Sequence, residues 1–218
     1  MIGDHLEFEN RTALATALAR KTAQVLSKAI SKYGKAVLAV SGGTTPGLFF
    51  EHLSQTQIAW EKVTVTLVDE RQVPESNARS NARMAREHLL VNRASEAKFI
   101  PLCENPAAGD VGVFSACILG MGSDGHTASF FPGGDTLQDA IDPYTDQSIV
   151  RIVAPGSVEP RLTFTLPRLT QAAFMALHIE GNDKRTVLQK ALSGCDILEM
   201  PVRAILNSRT SLHVYWCP

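Results

Sequence analysis

The stretch Ala36–Ser54, AVLAVSGGTTPGLFFEHLS, holds a complete structural unit in one line. Its first six residues form an apolar β-favouring run, the next five a turn built on Gly42 and Gly43, and Pro46 stands where a helix opens before the amphipathic GLFFEHLS. Strand, glycine turn and helix in that order is the repeating unit of a parallel sheet. Upstream, Leu14, Ala17, Leu18, Val25, Ala29, Ile30 and Tyr33 fall on one helical stripe that Gly34 stops, which predicts a helix from about Thr12 to Tyr33. Downstream, VTVTLVDE (63–70) and VFSACILG (113–120) read as strands, and SNARMAREHLL (80–90) as a helix capped by Ser80 or Asn81.

Further strands are expected at SIVRIVA, LTFTL, AFMALHIE, RAILN and LHVYWC, with a helix over NDKRTVLQKAL (182–192) that starts at Asn182 or Asp183. The pattern predicts one α/β domain over residues 1–218, an open, mainly parallel sheet with helices on both faces in a Rossmann-like three-layer α/β/α arrangement.

The 218 residues suffice for a core without disulfides or metals. A formal net charge of −1 gives no general field for nucleic acid or an anionic membrane, so neither is an expected partner and any anion is caught locally. Cys103, Cys117, Cys195 and Cys217 make no zinc-type or C-x-x-C spacing and read as buried free thiols in a reducing compartment. The N-terminal MIGDHLEFENR has no apolar signal core, and the apolar run around VGVFSACILGMG is too short to span a bilayer, so a cytoplasmic location is expected. A mean hydropathy of −0.00 does not separate monomer from dimer; the oligomeric state stays open, and a monomer is compatible with it.

Ligands of such sheets bind beyond the carboxyl ends of the strands, and three polar motifs sit there. SGGTTPG, with Ser41, Gly42, Gly43, Thr44 and Thr45, is either a plain turn or a cradle of N–H groups and hydroxyls for an anion; it lacks the lysine of an ATP-binding P-loop. DERQVP is either a solvated charge cluster or a site in which Asp69 orients a sugar or a proton donor and Arg71 holds an anion. In GMGSDGHTASFFPGG, the first six residues spell G-x-G-x-x-G, but Pro132 and two glycines leave no room for the long helix that a dinucleotide site requires. Nor is Ser123 a nucleophile at an elbow, because position 121 is Met.

The glycines Gly120 and Gly122 permit close approach of substrate to His126, and Asp124 can fix the tautomer of that histidine as a general base. The other histidines, His178 among them, read as packed or surface residues without metal-ligand spacing. Lys184, early in its helix, is either an exposed lysine or a mobile positive charge at the rim.

Taken together, SGGTTP, DERQVP followed by SNARMAREHLL, LGMGSDGHTASFFPG, RLTFTLPRL (161–169) and GNDKR (181–185) resemble the 6-phosphogluconolactonases within the glucosamine-6-phosphate isomerase/deaminase superfamily. The resemblance covers most of the chain. It implies a glucosamine-6-phosphate isomerase-like fold, no cofactor, no metal, and a 6-phosphorylated sugar lactone as the small-molecule partner. By the same resemblance His126 activates water with the support of Asp124, Asp69 faces the sugar ring, and Lys184, Arg71 and the SGGTT loop take the phosphate. The deaminase branch resembles DGHIAFNEP, with a glutamate five residues after the histidine; here that position is Phe131, which cannot move a proton. Lactone hydrolysis is therefore the expected activity. An amino-sugar-phosphate deaminase or isomerase and a non-catalytic sugar-phosphate sensor are the alternatives. MPVRAIL departs from the small-residue run expected in relatives after that proline.

Overall fold

The computed structural model describes residues 2–102 and 110–218; Cys103 lies outside them. Its main sheet contains β1 (Ile2–Glu7), β2 (Ala36–Val40), β3 (Val63–Leu67), β5 (Lys98–Ile100), β6 (Ala116–Leu119), β9 (Met175–Glu180) and β10 (Leu212–Cys217). Their spatial order is β1-β10-β9-β6-β2-β3-β5, and every neighbouring pair is parallel. A smaller antiparallel sheet holds β4 (Asp69–Arg71), β8 (Arg161–Phe164) and β7 (Ile149–Ile152), in that order.

Helices α1 (Arg11–Tyr33), α2 (Gly47–Ser54) and α3 (Asn81–His88) pack in one group. A second group is the series α4 (Leu137–Ile141), α5 (Leu166–Thr170), α7 (Val202–Leu206) and α6 (Asn182–Ser193). The two groups cover the two faces of the sheet, which is why β2 and β6 are buried along their whole length and read as continuous apolar runs. No helix among the described residues is long and apolar enough to cross a membrane.

Local chemistry accounts for the helix ends. Asn10 caps α1 by accepting from the Ala13 N–H at 2.9 Å, and Ser80 rather than Asn81 caps α3 by accepting from the Arg83 N–H at 3.2 Å. Helix α6 has no side-chain cap from Asn182 or Asp183. Instead Gly181, at φ 90°, makes the turn out of β9, and its N–H is spent on the Cys217 carbonyl.

The structure corrects several expectations. VTVTLVDE is two strands: the Val68 N–H donates to the Val40 carbonyl while its own carbonyl accepts from Phe164, so the chain passes from one sheet to the other at this residue. SIVRIVA and LTFTL, as β7 and β8, join β4 rather than the parallel sheet. RAILN lies in helix α7, which starts after Pro201; with Val202 to Leu206 all buried, the run has no polar face and its periodicity cannot tell helix from strand. The edge strands β1 and β5 lie where no strand is predicted, since an edge can pair through its backbone without a fully apolar sequence. Cys195 is exposed, whereas Cys117 and Cys217 are buried free thiols.

Candidate active site

Strands β9, β6, β2 and β3 are consecutive in the sheet and parallel, so their carboxyl ends open side by side. The loops that follow them enclose a cleft of about 280 Å³, near the lower limit for small-molecule sites and suited to one compact polar ligand. The cleft is lined by every predicted site residue except Asp124, which stands behind His126.

The β2 loop offers donors that none of the described residues uses. Among the described residues, the N–H groups of Gly42, Gly43, Thr44 and Thr45 and both threonine hydroxyls make no hydrogen bond, and they precede the N-terminus of α2. Such a constellation suits an anion. Ser41 has a different task, since its hydroxyl donates to the Ile118 carbonyl at 3.0 Å and accepts from the Gly120 N–H at 2.9 Å. It fastens the β2 loop to the β6 loop.

The β6 loop carries a histidine–carboxylate pair. His126 Nδ1 lies 2.5 Å from Asp124 Oδ1, which also accepts the His126 backbone N–H at 3.1 Å. This pairing presents the opposite ring nitrogen, Nε2, as the free base. Partial burial pushes the Asp124 carboxyl up, but the hydrogen bond and charge of His126 outweigh it and bring the pKa down to about 2. A Cβ at Gly122 would stand 2.1 Å from His126 Nδ1 and 2.6 Å from Asp124 Oδ1, so only glycine admits the pair. Ala128 adopts φ 48°, a strained conformation that the loop maintains two residues after the base. From outside, Val202 donates its N–H to the Gly125 carbonyl at 2.9 Å. This is the role of the unusual MPVRAIL segment, which braces the histidine loop and is itself tied down by buried Arg203, bonded to the Ala191 and Asp196 carbonyls.

Asp69 is buried at the cleft wall, and its Oδ2 accepts from Ser129 Oγ at 2.6 Å. The neighbouring Glu70 turns away from the cleft and accepts from the N–H groups of Arg71, Asn81 and Ala82 and from Ser80 Oγ, which anchors the start of α3. Arg71 lines the cleft with part of its fork committed: Nη1 donates to the Arg79 carbonyl and to Asn81 Oδ1. Lys184, in the first turn of α6, faces the cleft and makes no ion pair among the described residues. Among the described residues, no group of three His, Cys, Asp or Glu side chains is arranged to hold a metal ion.

Three polar lining residues are absent from the sequence-based site. Asn81 donates to the Asp69 carbonyl, and His178 is buried in the cleft wall with Nε2 3.1 Å from Glu180 Oε1. The third, Arg161, packs its guanidinium over the Phe131 ring at 4.7 Å, and the same ring contacts the His126 imidazole at 4.3 Å. Arg161 lies in the quoted RLTFTLPRL segment, but a strand-forming run gives no sign of which residue faces a ligand.

Residues 9–216 match the family described as Glucosamine-6-phosphate isomerases/6-phosphogluconolactonase. A 6-phosphogluconolactonase of Rhizobium meliloti (strain 1021) is 47% identical over 97% of this chain and 97% of its own. The crystal structure of a 6-phosphogluconolactonase from Shewanella baltica OS155 superposes with a TM-score of 0.94 at 36% identity and full coverage of both chains. A monomeric glucosamine-6-phosphate deaminase, 17% identical with a TM-score of 0.75 over 99% of this chain and 97% of its own, shares the fold.

Proposed function

The chain belongs to the glucosamine-6-phosphate isomerase/6-phosphogluconolactonase family, and from that premise we propose that it hydrolyses 6-phospho-D-glucono-1,5-lactone to 6-phospho-D-gluconate, the second step of the oxidative pentose phosphate pathway. The observation that carries this reading is the His126–Asp124 pair facing the same cleft as the unspent donors of the β2 loop and Lys184. A base and an anion cradle in one cleft match a substrate that carries a phosphate at one end and an electrophilic carbonyl at the other. Phe131, where the deaminase branch carries glutamate, packs on the base and offers no proton for ring opening. The charged substrate does not cross membranes unaided, so the reading places the enzyme in the cytoplasm.

In the reaction, His126 Nε2 takes a proton from water as the water oxygen bonds to C1 and the carbonyl electron pair moves onto its oxygen. The tetrahedral intermediate collapses, the bond from C1 to the ring oxygen breaks, and the proton held by His126 passes to that oxygen. The acid formed then ionises and releases one proton to solvent. Asp69, held by Ser129, faces the sugar ring, while the β2 loop, Lys184 and the uncommitted part of Arg71 hold the phosphate.

The test is the rate of loss of lactone generated in situ, with and without protein, corrected for spontaneous hydrolysis. Acceleration is expected; an unchanged decay with folded protein would refute the reading. Lys184→Ala is expected to raise KM about 10- to 100-fold with kcat nearly unchanged, because a charge-assisted contact to the phosphate is uniform along the reaction. A large fall in kcat at unaltered KM would instead place Lys184 at the reacting carbon.

The acid side of the pH dependence follows from the pair. With its pKa depressed to about 2, Asp124 contributes stability that is fully present above the ordinary carboxylate range and is lost progressively as the pH falls from that range to about 2. Asp124 therefore stays ionised throughout the acid limb of log kcat against pH, which is expected to have a slope of one. A slope approaching two would show Asp124 titrating in the same range.

A further inference from the structure

Besides Lys184, the cleft contains a second cation whose side-chain donors make no hydrogen bond among the described residues. Arg161 lines it from β8, and its side chain is only 17% exposed. Among the described residues its guanidinium donates no hydrogen bond, and its buried Nε has no partner. Buried donors are ordinarily satisfied, so an arginine held in this way needs an explanation. Its acidic neighbour Asp69 stands within ion-pair range but accepts no hydrogen bond from it. Asp69 Oδ2, the carboxylate oxygen in ion-pair range, is 3.8 Å from Nη1 and accepts from Ser129, while Glu159 is taken by Arg79 at 2.9 Å with Arg71 at 3.9 Å. The acids hold the guanidinium in place electrostatically without consuming its fork. The Phe131 ring fixes its plane and also touches His126, which puts the fork at the reacting end of the cleft.

We propose that Arg161 is a catalytic residue that binds the oxyanion developing at C1 and then the carboxylate of the product. This rests on the lactonase reading above. The carbonyl oxygen gains a full negative charge when water adds, and it becomes one of the two carboxylate oxygens when the ring opens. A planar fork of N–H donors is suited to both species and contacts the neutral ground-state carbonyl less strongly. The Nη1 of Arg71, by contrast, is already hydrogen-bonded within the protein, which leaves that residue to the phosphate.

The test compares two ligands that share the phosphate and the carbon chain: 6-phosphogluconate, with a carboxylate at C1, and glucitol 6-phosphate, with an alcohol there. Binding is measured by calorimetry alongside steady-state kinetics, for the wild-type protein, Arg161→Met and Arg161→Lys. Arg161→Met is expected to weaken 6-phosphogluconate at least about tenfold while glucitol 6-phosphate changes less than about twofold, and to lower kcat about 100-fold with KM within about threefold. Equal losses for both ligands would assign Arg161 to the phosphate or to the scaffold, and no loss for either would remove it from the site; either result overturns the proposal. If Arg161→Met does not fold, Arg161→Lys decides: it keeps the charge but not the fork, and a carboxylate-selective loss at an unchanged melting temperature is expected, the absence of which overturns the proposal. If wild-type protein leaves the decay of the lactone unchanged, the lactonase reading itself fails. If wild type and Arg161→Met accelerate it equally, the assignment to Arg161 alone fails.

Discussion

The His126→Ala enzyme is expected to lose about 10²- to 10⁴-fold in kcat, after correction for spontaneous hydrolysis, while KM stays within a few-fold. The magnitude follows from what is removed. The cleft keeps its phosphate donors, and the glycine loop keeps its anchors at Ser41 and Val202, so substrate still binds in place. Only the proton acceptor for water is missing. The lactone is reactive enough that residual turnover from orientation and oxyanion binding persists, and an uncorrected assay would understate the loss. Unchanged kcat would show that another group deprotonates water and would strip the 2.5 Å His126–Asp124 pair of its assigned role.

The second large effect falls on stability. Glu70→Ala is expected to cost about 3–5 kcal/mol, because it removes a buried carboxylate and leaves the N–H groups of Arg71, Asn81 and Ala82 and the Ser80 hydroxyl without their acceptor. For a chain of this length that corresponds to a fall in Tm of roughly 6–20 °C. The loss would also free the start of α3, and with it Asn81, which holds both Asp69 and Arg71 in the cleft wall. Thermal unfolding checks the prediction, and a Tm within about 2 °C of wild type would show that water replaces the carboxylate at no cost.

The sequence reveals the site more fully than the scaffold, for a physical reason. Loops that carry ligands concentrate glycine, threonine, acid and histidine between apolar runs, and Ser41 to Thr45, Asp69 to Arg71 and Gly120 to His126 stand out on that ground. Their convergence follows from the strand–turn–helix order alone, since parallel strands open at one edge. Arg161 escapes notice because RLTFTL reads as an ordinary strand, and only the departure of that strand into the small sheet turns it over the cleft. The same departure hides the break at Val68. Ser41 is legible as a cleft residue, but not as the fastener between two loops, because that role depends on β6 lying beside β2, a pairing between segments 77 residues apart. RAILN fails for lack of a polar face to set its period. Glu70 sits beside Asp69 with the same charge and a different destiny, decided by strand alternation within three residues of β4.

The order of strands in the main sheet also constrains how the enzyme comes into being. Strand β1 is made before the other strands of this sheet, yet its partner is β10, made of residues 212–217, and β10 in turn docks on β9. A ribosome-bound chain thus carries β1 unpaired until residues 212–217 have been made, and Gly181, which aims the helix of Lys184, waits for the carbonyl of Cys217. Activity should therefore arrive abruptly once β10 has been made, with no partly competent fragment before it.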